Sequence, residues 1–302
     1  MQGKNETGRS LASKLKHQFM YALIFVGGRT LAYAFLYIVV LVYSLMPSVS
    51  ARSRAYIARR FSPRSKWQFF KHTYRLNLTF GRTLIDRAAL GILGQTGVSS
   101  TEEERNLCRQ LLAEGKGLIL LTAHAGCWQM AVNLATFINA PLNVVYYRNP
   151  KDNDKTVAQH GHRFASLNQI NPAGPLGGVP EMMVALQKGE VLCAMADRVF
   201  GAEKNAVSVN FLGGKIQVPY SFYRLAAATG APVVVQFFPW EKRGRFATQT
   251  VKVLRIPELG PKKENYVPYA QQFVDELEKF CIKYPYQFFN YFNLWSNYAE
   301  ND

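Results

Sequence analysis

Residues 117–130, GLILLTAHAGCWQM, decide how the rest of the chain is read. Leu118, Ile119, Leu120 and Leu121 form an apolar run of strand length. The run breaks into the small-residue turn Thr122, Ala123, His124, Ala125 and Gly126. An amphipathic segment follows from Cys127 and Trp128 through Val132, Leu134 and Phe137. This predicts a buried strand, a tight turn and a helix, the arrangement that presents polar side chains at the carboxyl edge of a parallel sheet. His124 stands at that edge. An imidazole of unperturbed pKa about 6.5 can hold or release a proton at neutral pH and so serve as a general base. The competing reading is a ring that only caps the helix.

Working outward, the pattern repeats. Ser100, Thr101 and Glu102 to Glu104 offer hydroxyl caps followed by acids, a helix start that runs to about Glu114 and stops at Gly115. A second strand is expected over 142–147, closed by Arg148, Asn149 and Pro150. After a polar stretch, a helix at 181–188 leads to a third strand at 191–195, which delivers Asp197 and Arg198 to a sheet edge. Residues 211–215 read as a turn. Residues 220–229 read as a helix, 232–238 and 248–254 as strands, and 267–284 as a closing helix before an aromatic tail. Such alternation predicts an α/β fold, a mixed and mostly parallel sheet covered by helices on both faces. His160 and His162 lack a nearby acid or cysteine at ligand spacing, so no metal site is expected there.

At the amino-terminal end, residues 19–46 are almost wholly apolar, interrupted by Gly27, Gly28, Arg29 and Thr30. Residues 51–82 then hold nine Lys or Arg and no acid. A membrane-anchoring helix followed by a basic face on an anionic membrane surface is expected, with an anchor at 1–50 and the α/β domain at 51–302. A buried core helix followed by a solvated basic one is the alternative. The formal net charge of +16 demands anionic partners. Nucleic acid is not among those expected, because the aromatics of 56–74 recur at helical spacing and no nucleic-acid motif accompanies them. Four scattered cysteines without a CxxC pair point to a reducing compartment.

Taken together, these blocks resemble the late acyltransferases of bacterial lipid A biosynthesis, and more widely the lysophospholipid and glycerolipid acyltransferases. The likeness rests on ArgThrLeuIleAspArg (82–87), the histidine motif at 124, ValTyrTyrArgAsnPro (145–150) and AlaAspArg (196–198). It continues through PheLeuGlyGlyLys (211–215), ThrGlyAlaProValVal (229–234) and the tail from Tyr284 to Trp295. The resemblance implies transfer of a fatty acyl chain from a thioester, on acyl carrier protein or coenzyme A, to a hydroxyl or amine of a lipid or glycolipid. It places the protein at the cytoplasmic face of the inner membrane and implies no cofactor. His124 would be the general base. Arg148, Asn149, Arg198 and Lys215 would bind substrate, with Arg forming bidentate contacts to anionic groups.

One departure matters. The family places an acid five residues after the histidine, and here that residue is Gln129. An amide oxygen can orient the ring but cannot stabilise imidazolium by charge. Three readings stand side by side: Gln129 as an uncharged partner, Asp197 or Glu203 as the source of the charge, or the chain as a non-catalytic lipid- or carrier-binding relative. Cys127, three residues from His124, has no electropositive neighbour to lower its pKa and is expected to pack.

Overall fold

The protein is described by a computed structural model covering residues 3–92, 98–130, 138, 140–147, 167–199 and 205–295. Three helices come first. Helix α1 (Gly3–Leu45) is interrupted at Gly28, whose φ of 59° and ψ of −162° are not helical. Helix α2 (Pro47–Phe61) opens on a proline, which has no amide hydrogen to waste at a first turn, and closes on Ser62 in the left-handed region. Helix α3 (Lys66–Ile92) takes in the second half of the basic segment 51–82 and runs on past it.

The α/β part begins at β1 (Val98–Ser99) and α4 (Glu102–Ala113). The start of α4 is the expected one. Thr101 accepts from the Glu104 amide while the Glu104 carboxylate accepts from the Thr101 amide, a reciprocal cap. Strands β2 (Leu118–Thr122), β3 (Leu142–Val145) and β4 (Leu167–Ile170) follow. Helix α5 (Val179–Gln187) and strand β5 (Val191–Met195) come next. The chain then makes β6 (Ala206–Phe211), β7 (Gly214–Pro219), α6 (Ser221–Thr229) and β8 (Val233–Phe237). Short strands β9 (Trp240–Lys242) and β10 (Arg245–Ala247), then β11 (Gln249–Leu254) and α7 (Val267–Lys283), complete it.

The central sheet runs β11-β8-β2-β5-β3-β4. The pairs β8–β2, β2–β5, β5–β3 and β3–β4 are parallel, and only the edge strand β11 is antiparallel to its neighbour. All five residues of β2 are buried, as a strand packed on both faces requires. Its side chains alternate between two cores. Ile119 and Leu121 join a large cluster with Tyr56, Leu186 and Phe273, while Leu118 and Leu120 join a smaller one with Cys108 and Leu111 of α4.

The turn expected at 211–215 is present, with Leu212 at φ 46°, and it is the tip of an antiparallel hairpin, β6–β7, whose strands were not expected. Its alternation of buried Val207, Val209 and Phe211 with exposed Ser208 and Asn210 is a strand signal that the turn residues overshadowed. After His124 the chain turns as expected: Ala125 and Gly126 bridge to Phe288 and Phe238, and residues 128–130 make one 3-10 turn. Residues 131–137 lie outside the described residues.

Candidate active site

Strand register builds the site. Strands β2 and β5 pair from Leu118↔Val191 to Thr122↔Met195, so both end at the same level. The Ala196 amide donates to the Thr122 carbonyl at 2.9 Å and carries the pairing one step further. Two residues beyond each paired end stand His124 and Asp197. The His124 Nδ1 lies 2.9 Å from Asp197 Oδ1 and 3.1 Å from Oδ2. The carboxylate is fully buried, whereas the imidazole keeps 22% of its side-chain surface exposed. A histidine so arranged can receive a proton at its second ring nitrogen while the carboxylate holds the Nδ1–H tautomer.

The electrostatics favour a charged Asp197. Burial alone would push its carboxyl up. The facing His124 charge and hydrogen bond, the Arg198 charge and a backbone N–H outweigh burial and hold it below the usual carboxylate range. Arg198 Nε is 3.6 Å from Asp197 Oδ2, and its guanidinium lies 4.7 Å from the Phe292 ring centroid. Among the described residues, its Nε and Nη2 are buried without a hydrogen-bond partner. Donors left in that state are costly unless a ligand accepts from them.

The histidine loop is held by main chain from two sides. Gly126 N donates to Gln287 O and Cys127 N to Phe238 O, both at 2.7 Å, and Phe289 N donates to His124 O at 2.8 Å. A Cβ at Gly126 would stand 2.1 Å from the Phe238 carbonyl oxygen, and its φ of 61° is left-handed, so only glycine fits. Gln287 also clamps Trp240, accepting from its amide at 2.8 Å and donating to its carbonyl at 2.7 Å. The aromatic tail thus forms one wall of the site. Sequence reasoning noted the tail's composition but gave Gln287 and Phe292 no place; a glutamine amid aromatics carries no signal of its partners.

Of the candidate residues, the structure brings His124, Asp197 and Arg198 together. Gln129 is half-buried in the 3-10 turn, and its Oε1 faces the Cys127 sulfur at 3.7 Å. Among the described residues, no hydrogen bond joins Gln129 to the His124 ring; the ring's carboxylate partner comes from β5 instead. Lys215 is exposed on β7 and makes no hydrogen bond or ion pair with the three clustered residues. Arg148, Asn149, His160, His162 and Glu203 lie outside the described residues. Cys127 is fully buried and its thiol is pushed up to about 12 by that burial, so it packs and does not react. Among the described residues there is no cluster of metal-ligating side chains.

A mostly parallel sheet carrying a histidine–carboxylate pair at its carboxyl edge, with an arginine beside it, defines an α/β protein whose histidine is placed to exchange a proton. Residues 33–297 match the family of bacterial lipid A biosynthesis acyltransferases, and the chain belongs to that family. The family supports acyltransferase activity with an acyl donor and a lipid acceptor. No curated protein matches the chain.

Proposed function

We propose that this chain transfers a fatty acyl group from a thioester, on acyl carrier protein or coenzyme A, to a hydroxyl or amine of a lipid or glycolipid. His124 is the base. As the acceptor oxygen or nitrogen attacks the thioester carbonyl, its proton passes to His124 Nε2. The tetrahedral intermediate then collapses, the thiolate leaves, and the imidazolium returns the proton to that sulfur. Asp197 fixes the Nδ1–H tautomer and stabilises the imidazolium by charge, the role the family gives to the acid that Gln129 replaces. The buried Arg198 N–H groups donate to the anionic part of donor or acceptor. In this reading residues 1–50 attach the protein to the cytoplasmic face of the inner membrane, and 51–302 carry the chemistry.

The observation that carries the proposal is the buried Asp197 carboxylate on His124 Nδ1 in a chain of this family. It also leaves the non-catalytic reading unfavoured, since the charge that Gln129 lacks is present. The test is transfer of a labelled acyl chain from carrier-protein and coenzyme A thioesters to membrane lipids, with products read by mass spectrometry. Transfer by the wild type and its loss in His124→Ala are expected. Absence of transfer from every thioester would sink the proposal.

A further inference from the structure

Residues Met20–Leu45 of α1 are long and apolar enough to cross a bilayer. Their packing points elsewhere. Ile24, Ala32, Leu36, Val40 and Ser44 are buried at multiples of four residues, a single stripe against α3. Beyond the break at Gly28, from Ala32 to Ser44, that stripe is about 18 Å long at 1.5 Å per residue. The stripe is also polar at intervals. Tyr33 donates to Asp86 at 2.7 Å, Arg82 to Tyr37, and Asn77 to Ser44 at 3.0 Å, while Arg29 lies 3.2 Å from the Asp86 carboxylate. Helix α3 is itself bound to the α/β core, through Leu76 and through Phe80 against Phe289 and Tyr291. It carries Arg75, Arg82 and Arg87 along the length in question. An α1 that crossed a bilayer would drag these charges into hydrocarbon, or tear away and leave the buried Asp86 without Arg29 and Tyr33.

The outer face of α1 is apolar and open: Phe25, Val26, Ile38 and Leu45 are 78%, 81%, 65% and 65% exposed. Where α1 ends, the α3 stripe it covered runs on as Trp67, Phe70 and Tyr74, stacked ring on ring, with Trp67 70% exposed. Exposed Arg64, Lys66 and Lys71 surround that ladder. From Thr7 to Ile85 the chain has no Asp or Glu. An apolar helix face continued by an interfacial aromatic ladder, within an acid-free cationic segment, fits one leaflet of an anionic bilayer.

We propose that α1 lies in the plane of the membrane, its outer face in one leaflet and its inner face on α3, with both chain ends on the same side. The proposal rests on the membrane attachment proposed above, and its test separates the two. In spheroplasts expressing the full chain, a membrane-impermeant maleimide is applied to Asn5→Cys and, as a control on the α/β part, to Lys263→Cys. The four native cysteines are buried and stay silent. Expected is no labelling of either in intact spheroplasts and equal labelling after lysis. Labelling of Asn5→Cys alone in intact cells means a crossing helix and overturns the in-plane placement while leaving attachment standing. Protein found free of membranes overturns both. A second measurement uses purified protein and vesicles of phosphatidylcholine and phosphatidylglycerol. Ile38→Asp should weaken partitioning by at least about tenfold, the worth of one buried aliphatic side chain, with the thermal unfolding midpoint unchanged. Undiminished partitioning also overturns the proposal.

Discussion

Two buried aspartates divide the molecule between them. Asp86 and Asp197 both have no exposed surface, and both meet an arginine. Asp86 is saturated. Its Oδ2 accepts from Tyr33, Trp240 Nε1 and the Gly244 amide at 2.7–2.8 Å, while Arg29 faces Oδ1, so one carboxylate ties α1, α3 and the β9–β10 turn together. Asp197 spends its hydrogen bonds on an imidazole that keeps 22% of its side-chain surface exposed. A buried charge bonded only to fixed structure builds the fold. One bonded to a partly exposed, titratable ring leaves that ring's second nitrogen to a substrate. Burial alone does not tell the two apart.

The comparison breaks most visibly on activity. Asp197→Asn keeps the shape but not the charge, and His124→Ala removes the base. Either should lower kcat by about 10²–10⁴-fold, as removal of a positioned proton-transfer group does. Asp86→Ala should reverse the pattern. With the carboxylate that faces Arg29, Tyr33, Trp240 and Gly244 removed, unfolding free energy should drop by about 3–5 kcal/mol, while protein that remains folded keeps kcat within the same order. Denaturant unfolding in detergent beside a transfer assay reads both. An Asp86 variant that is stable but inactive would place that carboxylate in the chemistry.

The pH dependence sharpens the same contrast. The folded-state pKa of Asp197 is depressed, because its hydrogen bond and the charges of His124 and Arg198 outweigh burial. Its contribution to stability is therefore fully present above the unfolded pKa of about 3.9 and is lost as pH falls through the lower folded value. The wild type should lose stability faster than Asp197→Asn below about pH 4. Equal slopes would mean that the carboxylate gains nothing from its neighbours.

Much of this site was legible. The two apolar runs 118–121 and 191–195 mark the strands, and the polar residues just past them are His124 and Asp197. Their meeting follows from register: both lie two residues beyond a paired end. Nothing in either segment alone fixes that register, so sequence could name Asp197 as one possible partner and no more. The family spacing drew attention to Gln129 instead. In the structure the backbone turns at Gly126, which bridges to Phe238, and the Gln129 side chain faces Cys127 instead of the ring. The capped start of α4 was readable because its reciprocal bonds span three residues. The Gln287 clamp was not, since its partners lie 47 residues away. Strands β1, β9 and β10, two or three residues each, are shorter than any periodicity.

The smallest expected effect belongs to Gln129→Glu, the change that restores the family's acid. Were His124 short of a negative charge, a carboxylate at 129 would raise the rate well beyond tenfold, since the acid in a serine-protease triad is worth about 10⁴. Asp197 already lies against Nδ1, and the Gln129 side chain points to the Cys127 sulfur, a buried thiol that offers a carboxylate little solvation. The new acid would gain nothing from the ring. A second charge near Asp197 would only press one carboxyl toward its protonated form. The expected kcat change is within about two- to threefold, the scale of a substitution away from the working contacts. Asp197→Asn combined with Gln129→Glu sharpens the point. If the added acid can reach the imidazole, the double variant should recover part of what Asp197→Asn loses; if the Cys127-facing geometry holds, it recovers nothing. A rise of tenfold or more in Gln129→Glu alone would show that the Asp197 pair does not supply the charge the base needs.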